Sequence, residues 1–320
     1  MKFEINNYCT QHRIKLIAGK SLTYESPNGL SWFVFYLVNY SLKTRKKPYT
    51  NTLSFLMTNQ YPLITLFSQA AFIILAFVTL LWIWSVFIKN VSIVDIFWGF
   101  GFVVVNTFYV FMSGELSARK ILILTLVSIW GLRLAMYLAY RNIGKGEDFR
   151  YKEFRKNYGP KRYWWFSFFQ TFLLQGALIM IVSLPLLGIN SSTSNGTLNV
   201  LDYIGIVVWL IGFTFEAGGD FQLVRFKSNL KNNGKVLDTG FWKYTRHPNY
   251  FGDSAVWWAY AIFSIAAGSY WQIIGSIIMT LLIIKISGVR LLEKTLKESK
   301  PQYRDYIQKT NSFFPWFSKK

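Results

Sequence analysis

The chain has 320 residues, 52% apolar and 19% aromatic, with mean hydropathy +0.26 and a formal charge of +20. These figures exclude a soluble nucleic-acid-binding domain, whose charge would cover a polar surface, and suit a polytopic membrane protein with basic loops, so the expected partners are a lipid bilayer and no nucleic acid. A single cysteine, Cys9, excludes an internal disulfide framework and a cysteine-built metal centre, and with only His12 and His247 besides, no metal site is expected.

In chain order, residues 1–58 form an N-terminal region of unknown role. Met1 to Lys20 carries charged and polar residues throughout, unlike a cleavable signal peptide. Residues 59–320 read as an all-α membrane domain of about seven spans. Pro62 to Ile88 is free of charge and exceeds the roughly 20 apolar residues that cross a hydrocarbon core. Val91 to Met112 carries only Asp95, and Ile121 to Tyr140 only Arg133. Trp165 to Ile189 is again uncharged, and the Ser/Asn-rich run Asn190 to Gly196 predicts a short loop. The apolar stretch from Tyr203 to Phe215 is expected to continue as helix into Glu216 and Asp220. Ala255 to Ile284 lacks charge and is interrupted by Gly268–Ser269, which predicts a helical hairpin.

Lysines and arginines in short loops stay in the cytoplasm. Three basic clusters, Arg141 to Arg162, Arg225 to Arg246 and Lys285 to Lys320, fall on one side of a seven-span chain, which places the C-terminus in the cytoplasm. The sequons at Asn190 and Asn195 then fall on the opposite side. The Lys43 to Lys47 run conflicts with this topology unless a short membrane segment around Leu30 to Leu42 precedes it or the first helix dominates orientation less than usual.

The densest polar cluster is Lys235 to Asp253. Pro248 suits the first turn of a helix. Arg246 and His247, just before it, stand where N–H groups and the helix dipole favour phosphate. Asn249 and Asp253 share a face one turn apart, an arrangement suited to ribose hydroxyls and amides. An interfacial belt facing lipid headgroups is the plainer reading of the same residues. Against it stands Asp253, because a carboxylate at depth costs roughly 2.5–3.5 kcal/mol and calls for a partner. Lys145, between Gly144 and Gly146, has two readings as well: a backbone turn that approaches a pyrophosphate, or a solvated loop at the headgroups.

The run Thr239–Gly240–Phe241–Trp242–Lys243–Tyr244–Thr245–Arg246–His247–Pro248–Asn249–Tyr250–Phe251–Gly252–Asp253 resembles the C-terminal signature of the steroid 5α-reductase superfamily. Ser92 to Gly99, Trp130 to Ala135 continuing to Arg141–Tyr151, and Glu293 to Phe317 are similar to its 5α-reductase-like membrane protein branch (DUF1295-type). The resemblance implies a seven-helix membrane reductase that binds NADPH on a cytoplasmic face and transfers hydride to a carbon–carbon double bond of a hydrophobic sterol, polyprenoid or acyl substrate. It implies cofactor contacts at Arg133, Glu216, Asp220, Lys227, Arg246, His247, Asn249, Tyr250, Asp253 and Arg290. The sequons and the lipid chemistry point to an endoplasmic reticulum location.

The substrate end departs from the steroid enzymes. Their Gln–Glu pair in the second helix is replaced here by Asp95 alone, and the tyrosine three residues before the third-helix arginine reads Trp130. Asp95 is the candidate catalytic acid, provided that burial keeps it protonated. Its alternative is structural, capping a turn or pairing with Arg133. A methyltransferase using S-adenosylmethionine, like the isoprenylcysteine carboxyl methyltransferases that share the Arg–His–Pro–Asn–Tyr core, is the rival enzyme reading. A non-catalytic membrane or transport protein is the third.

Overall fold

The computed structural model describes residues 16–17, 21–22, 63–114, 116–192, 197–287, 289, 293 and 302–318. The chain divides into two units, Met1–Asn59 and Gln60–Lys320. In the first, two short antiparallel strands, β1 (Leu16–Ile17) and β2 (Ser21–Leu22), pair Leu16 with Leu22 and Ile17 with Ser21. The segment from Leu30 to Leu42 lies outside the described residues.

The described elements of the second unit are all helices. Helix α1 (Leu63–Ile88) contains no charge. The next apolar stretch is two helices, α2 (Ile93–Ile96) and α3 (Trp98–Met112), interrupted at Phe97. Ser117 caps α4 (Ala118–Asn142) through the N–H of Lys120. Asp148 caps α5 (Phe149–Tyr158), and Gly159, at φ 78°, turns the chain into α6 (Pro160–Val182) with Pro160 in its first turn. A π-helical turn, Phe168–Leu173, lies within α6. Ser183 precedes α7 (Leu184–Ser191). A capping box between Asn199 and Asp202 starts α8 (Val200–Ser228), which runs unbroken through Glu216 and Asp220. Pro248 opens α9 (Pro248–Ala266), Gly268 at φ 82° reverses the chain, and α10 (Ile274–Leu281) continues into a π turn, Leu282–Ser287. Helix α11 (Tyr303–Lys309) follows near the C-terminus.

Four helices, Leu63–Ile88, Ala118–Asn142, Pro160–Val182 and Val200–Ser228, are long and apolar enough to cross a membrane. Trp98–Met112 and Trp271–Ile286 are apolar but shorter. Exposed Phe72, Leu80, Phe87 and Phe111 give the outside of the bundle an apolar surface, the expected complement of lipid. The loop expected from Asn190 begins later. Asn190 is buried in the last turn of α7, where its amide donates to Asn106 Oδ1 at 3.1 Å and to the Leu186 carbonyl at 2.8 Å. A buried, hydrogen-bonded amide is no glycan acceptor in this fold, and Asn195 lies outside the described residues.

Packing is tightest where glycines let backbones meet. A Cβ on Gly131 of α4 would press on the carbonyl of Gly99 in α3, and a Cβ on Gly252 of α9 would press on the backbone of Gly212 and Glu216 in α8. Helices α8 and α9 form the most extensive pair in the unit. Their contact fixes the carboxylates of α8 against the start of α9. Beneath them Phe102, Trp130, Trp257 and Tyr260 are wholly buried, with Trp257 meeting Trp130 edge-on at 5.6 Å and Phe102 at 4.6 Å.

Candidate functional site

Arg133 of α4 is the centre of a buried ionic cluster. Its guanidinium donates to Glu216 Oε1 and, at 2.7 Å, to Asp220 Oδ2. Glu216 and Asp220 stand one turn apart on α8, so one guanidinium reaches both. Trp130 Nε1 donates to the other oxygen of Glu216 at 2.8 Å, and Asn249 Nδ2 donates to Asp220 Oδ1 at 3.1 Å. Each of these four carboxylate oxygens therefore accepts a hydrogen bond, the condition under which buried carboxylates are tolerated. Phe213 lies under the Arg133 guanidinium at 5.7 Å.

Asp253 faces the same cluster, within electrostatic reach of Glu216, Arg133 and Asp220. Its Oδ1 is buried without a hydrogen-bond partner among the described residues, as is Arg133 Nε. An acceptor and a donor left open at one cluster mark a place for a polar ligand or water. The side chain of Arg133 keeps 18% of its surface exposed, so the cluster opens to the exterior.

Two residues not predicted from the sequence extend the site. Tyr137 and Arg141 follow Arg133 at four-residue intervals on one face of α4. Tyr137 interacts with both Asp220 and Arg141, and the Arg141 guanidinium lies 5.8 Å from the Tyr137 ring centre. Tyr250 is within the electrostatic field of Arg141, Asp220, Arg150 and Asp253. The spacing 133, 137, 141 was the available signal.

Asp95 belongs to a neighbouring cluster. Arg150 donates to its Oδ2 at 2.7 Å and Tyr151 Oη to its Oδ1 at 2.8 Å. The alternative pairing of Asp95 with Arg133 is not what forms, because Glu216 and Asp220 occupy that guanidinium. Arg150 is the partner instead, so Asp95 sits in an ion pair with a phenol hydrogen bond on its other oxygen. Burial would lower the Arg150 guanidinium, but Asp95, with Asp148, raises it above the ordinary arginine value.

Arg246 and His247, expected to face a phosphate, engage the C-terminal segment in this structure. The Arg246 guanidinium donates to Glu293 Oε1, to the Ile307 carbonyl at 3.1 Å and to the Thr310 carbonyl. His247 Nε2 lies 3.4 Å from Glu293 and its ring stacks on Tyr250. Thr245 Oγ1 donates to the Phe313 carbonyl at 2.9 Å, and Tyr306 Oη donates to the Trp242 carbonyl. These bonds stitch the C-terminal segment to the start of α9. Burial would raise the Glu293 carboxyl, but hydrogen bonds from His247 and Arg246 and the Arg246 charge bring it down to about 2. Lys145 is exposed in a turn whose flanking Gly144 and Gly146 have φ of 81° and 73°. Lys227 is exposed in the last turn of α8, and Arg290 lies outside the described residues. Among the described residues no group of three or more His, Cys, Asp or Glu side chains is arranged to hold a metal ion.

The family model described as "Protein of unknown function (DUF1295)" matches residues 81–310, which include every element of this site. The chain belongs to the DUF1295 family. It is also similar to an uncharacterized protein of Schizosaccharomyces pombe, 26% identical over 262 residues that cover 73% of this chain and 75% of the relative. No solved structure gives a significant match. The DUF1295 region thus spans the Arg133–Glu216–Asp220 cluster and the segment that carries Asn249 and Asp253.

Proposed function

We propose that this DUF1295 protein is a membrane-bound, NADPH-dependent reductase of a carbon–carbon double bond in a lipid-like substrate. The observation that carries the reading is the Asn249–Asp220 pair on the Arg133 bridge, beside an open Asp253 oxygen and on the face of α4 that continues through Tyr137 to Arg141. Asn249, Asp220 and Asp253 are chemically suited to hydroxyl and amide groups of a nucleotide. Arg141 and Lys145, both exposed, are suited to its phosphates. NADPH supplies a hydride when bound. S-adenosylmethionine carries no phosphate, and the exposed cations favour the phosphorylated nucleotide over it.

Within this reading each protein group has a stated task. Arg133 holds Glu216 and Asp220 in register, and Trp130 fixes the remaining oxygen of Glu216. The buried aromatic layer of Phe102, Trp130, Trp257 and Tyr260 keeps water from the reacting face. In the Asp95–Tyr151–Arg150 cluster, Asp95 would act as the acid only on leaving Arg150. The proposed topology has seven spans, made from the four long helices, the two shorter ones and α9. The basic loops and the C-terminus then lie in the cytoplasm, and the endoplasmic reticulum is the proposed membrane.

The test is transfer of label. Membranes containing the protein and given deuteride-labelled NADPH should accumulate deuterium in a reduced lipid, and an Asp220→Ala variant should not. Label arriving instead from methyl-labelled S-adenosylmethionine would replace this reading with the methyltransferase one.

A further inference from the structure

Helix α1 is followed by Lys89, whose φ of 53° is the one left-handed value at a non-glycine residue among those described. An L-residue takes this conformation only where its surroundings offset the cost. Lys89 borders a cavity of about 370 Å³ that is also lined by Val86, Arg155, Pro160, Trp164 and Ser167. Glu147 accepts from Arg155 at 3.0 and 2.8 Å and from the N–H of Val91 at 2.9 Å, which ties α5 to the end of α1. Glu147 balances Arg155, so Lys89 leaves the cavity with an excess positive charge.

The surroundings fix the depth of this cavity in a bilayer. Trp82 stacks on Trp164 at 6.4 Å and donates to its carbonyl at 3.0 Å, an aromatic pair of the kind that sits at the membrane–water boundary. On one side of the pair, α5 and the first turn of α6 carry Lys152, Lys156, Lys161 and Arg162. On the other, α1 and α6 expose Leu80, Trp165 and Phe169. A cationic lip that continues into an apolar surface has the chemistry of a phospholipid, headgroup first and chains beyond. Free phosphate would match the lip alone. A zwitterionic lipid brings its own ammonium, which the surplus cations disfavour.

We propose that the Lys89–Arg155–Trp164 cavity binds the headgroup phosphate of an anionic phospholipid, whose acyl chains lie along α1 and α6. The site is separate from the Arg133 cluster and does not depend on the reductase reading.

The experiment uses full-length protein in nanodiscs of phosphatidylcholine containing increasing fractions of phosphatidylglycerol, with thermal unfolding as the readout. Phosphatidylglycerol should raise the melting temperature saturably. Lys89→Glu should move the half-saturating fraction up about tenfold, and the milder Lys89→Gln several-fold in the same direction. A Lys231→Gln/Lys243→Gln variant, which removes two exposed charges from the segment between α8 and α9, away from the cavity and its lip, should respond like the wild type. The proposal is overturned if phosphatidylglycerol has no effect, if inorganic phosphate in pure phosphatidylcholine discs reproduces it, or if the control variant loses the response as fully as Lys89→Glu. Failure of Lys89→Glu to fold leaves the decision to Lys89→Gln, for which an unshifted midpoint overturns it.

Discussion

Arg119 and Asp202 form a bidentate ion pair, Nε to Oδ1 at 2.8 Å and a terminal nitrogen to Oδ2 at 2.7 Å, with both side chains buried. Arg119 precedes Arg133 by the same fourteen residues that separate Asp202 from Glu216. Helices α4 and α8 are therefore joined at two levels about 21 Å apart along their axes. Two heptads return each helix to nearly the same face, which is why both junctions form between the same two helices. The far pair positions the near one.

Breaking that far junction is therefore expected to be costly. Arg119→Ala leaves Asp202 charged and uncompensated in the interior, a loss of about 3–5 kcal/mol. Arg119→Met combined with Asp202→Leu should recover much of it. Chemical unfolding of the purified variants in detergent measures both, and equal losses in the single and double variants would contradict the pairing argument.

The C-terminal clasp predicts an acid response. Glu293 is brought down to about 2 by His247 and Arg246 against the opposing effect of burial. Because the folded value lies below that of an unfolded glutamate, its contribution is complete above about pH 4.3 and is lost as the pH falls towards 2. Partial exposure limits its size. Glu293→Gln should flatten the pH dependence of stability in this window and leave the neutral range above it parallel to the wild type.

The glycine crossing makes a geometric prediction. Gly252→Ala places a methyl group against the backbone of Gly212 and Glu216, so α8 and α9 must separate. The expected cost is about 1–3 kcal/mol, with weakened nucleotide binding because Asp253 and Asn249 move with α9. Thermal stability and ligand titration on the same sample test the two effects together.

Two arginines should divide by phenotype. Arg141→Gln, at an exposed position, should weaken nucleotide binding with little change in stability. Arg246→Gln, whose guanidinium ties down Glu293, Ile307 and Thr310, should lower stability and loosen the C-terminal segment, detected as faster proteolysis after Lys309. The opposite pattern would return Arg246 to the phosphate role that its position before Pro248 suggested.

The partners that Arg246 finds show what local sequence conveys. Uncharged length gave α1, Pro248 gave the start of α9, and Gly268 gave the reversal before α10, because each is a local constraint on backbone or solvation. The continuation of α8 through Glu216 and Asp220 followed from the same helical register. Partners were less legible. Arg133 meets carboxylates 83 and 87 residues away, and Arg246 meets Glu293 at a separation of 47. Nothing near either arginine in sequence specifies which acid it finds. Asp95 was read as a lone charge in an apolar run because Arg150 and Tyr151 come from a helix beyond the next span. Asn190 read as loop for a related reason: its composition is turn-like, while burial against Asn106 keeps it helical.

The most direct test of the nucleotide site is calorimetric titration of detergent-purified protein with NADPH and, separately, with S-adenosylmethionine. The site described predicts saturable binding of NADPH, abolished by Asn249→Ala and by Asp220→Ala, and no binding of S-adenosylmethionine. Saturable binding of S-adenosylmethionine with none of NADPH would contradict it.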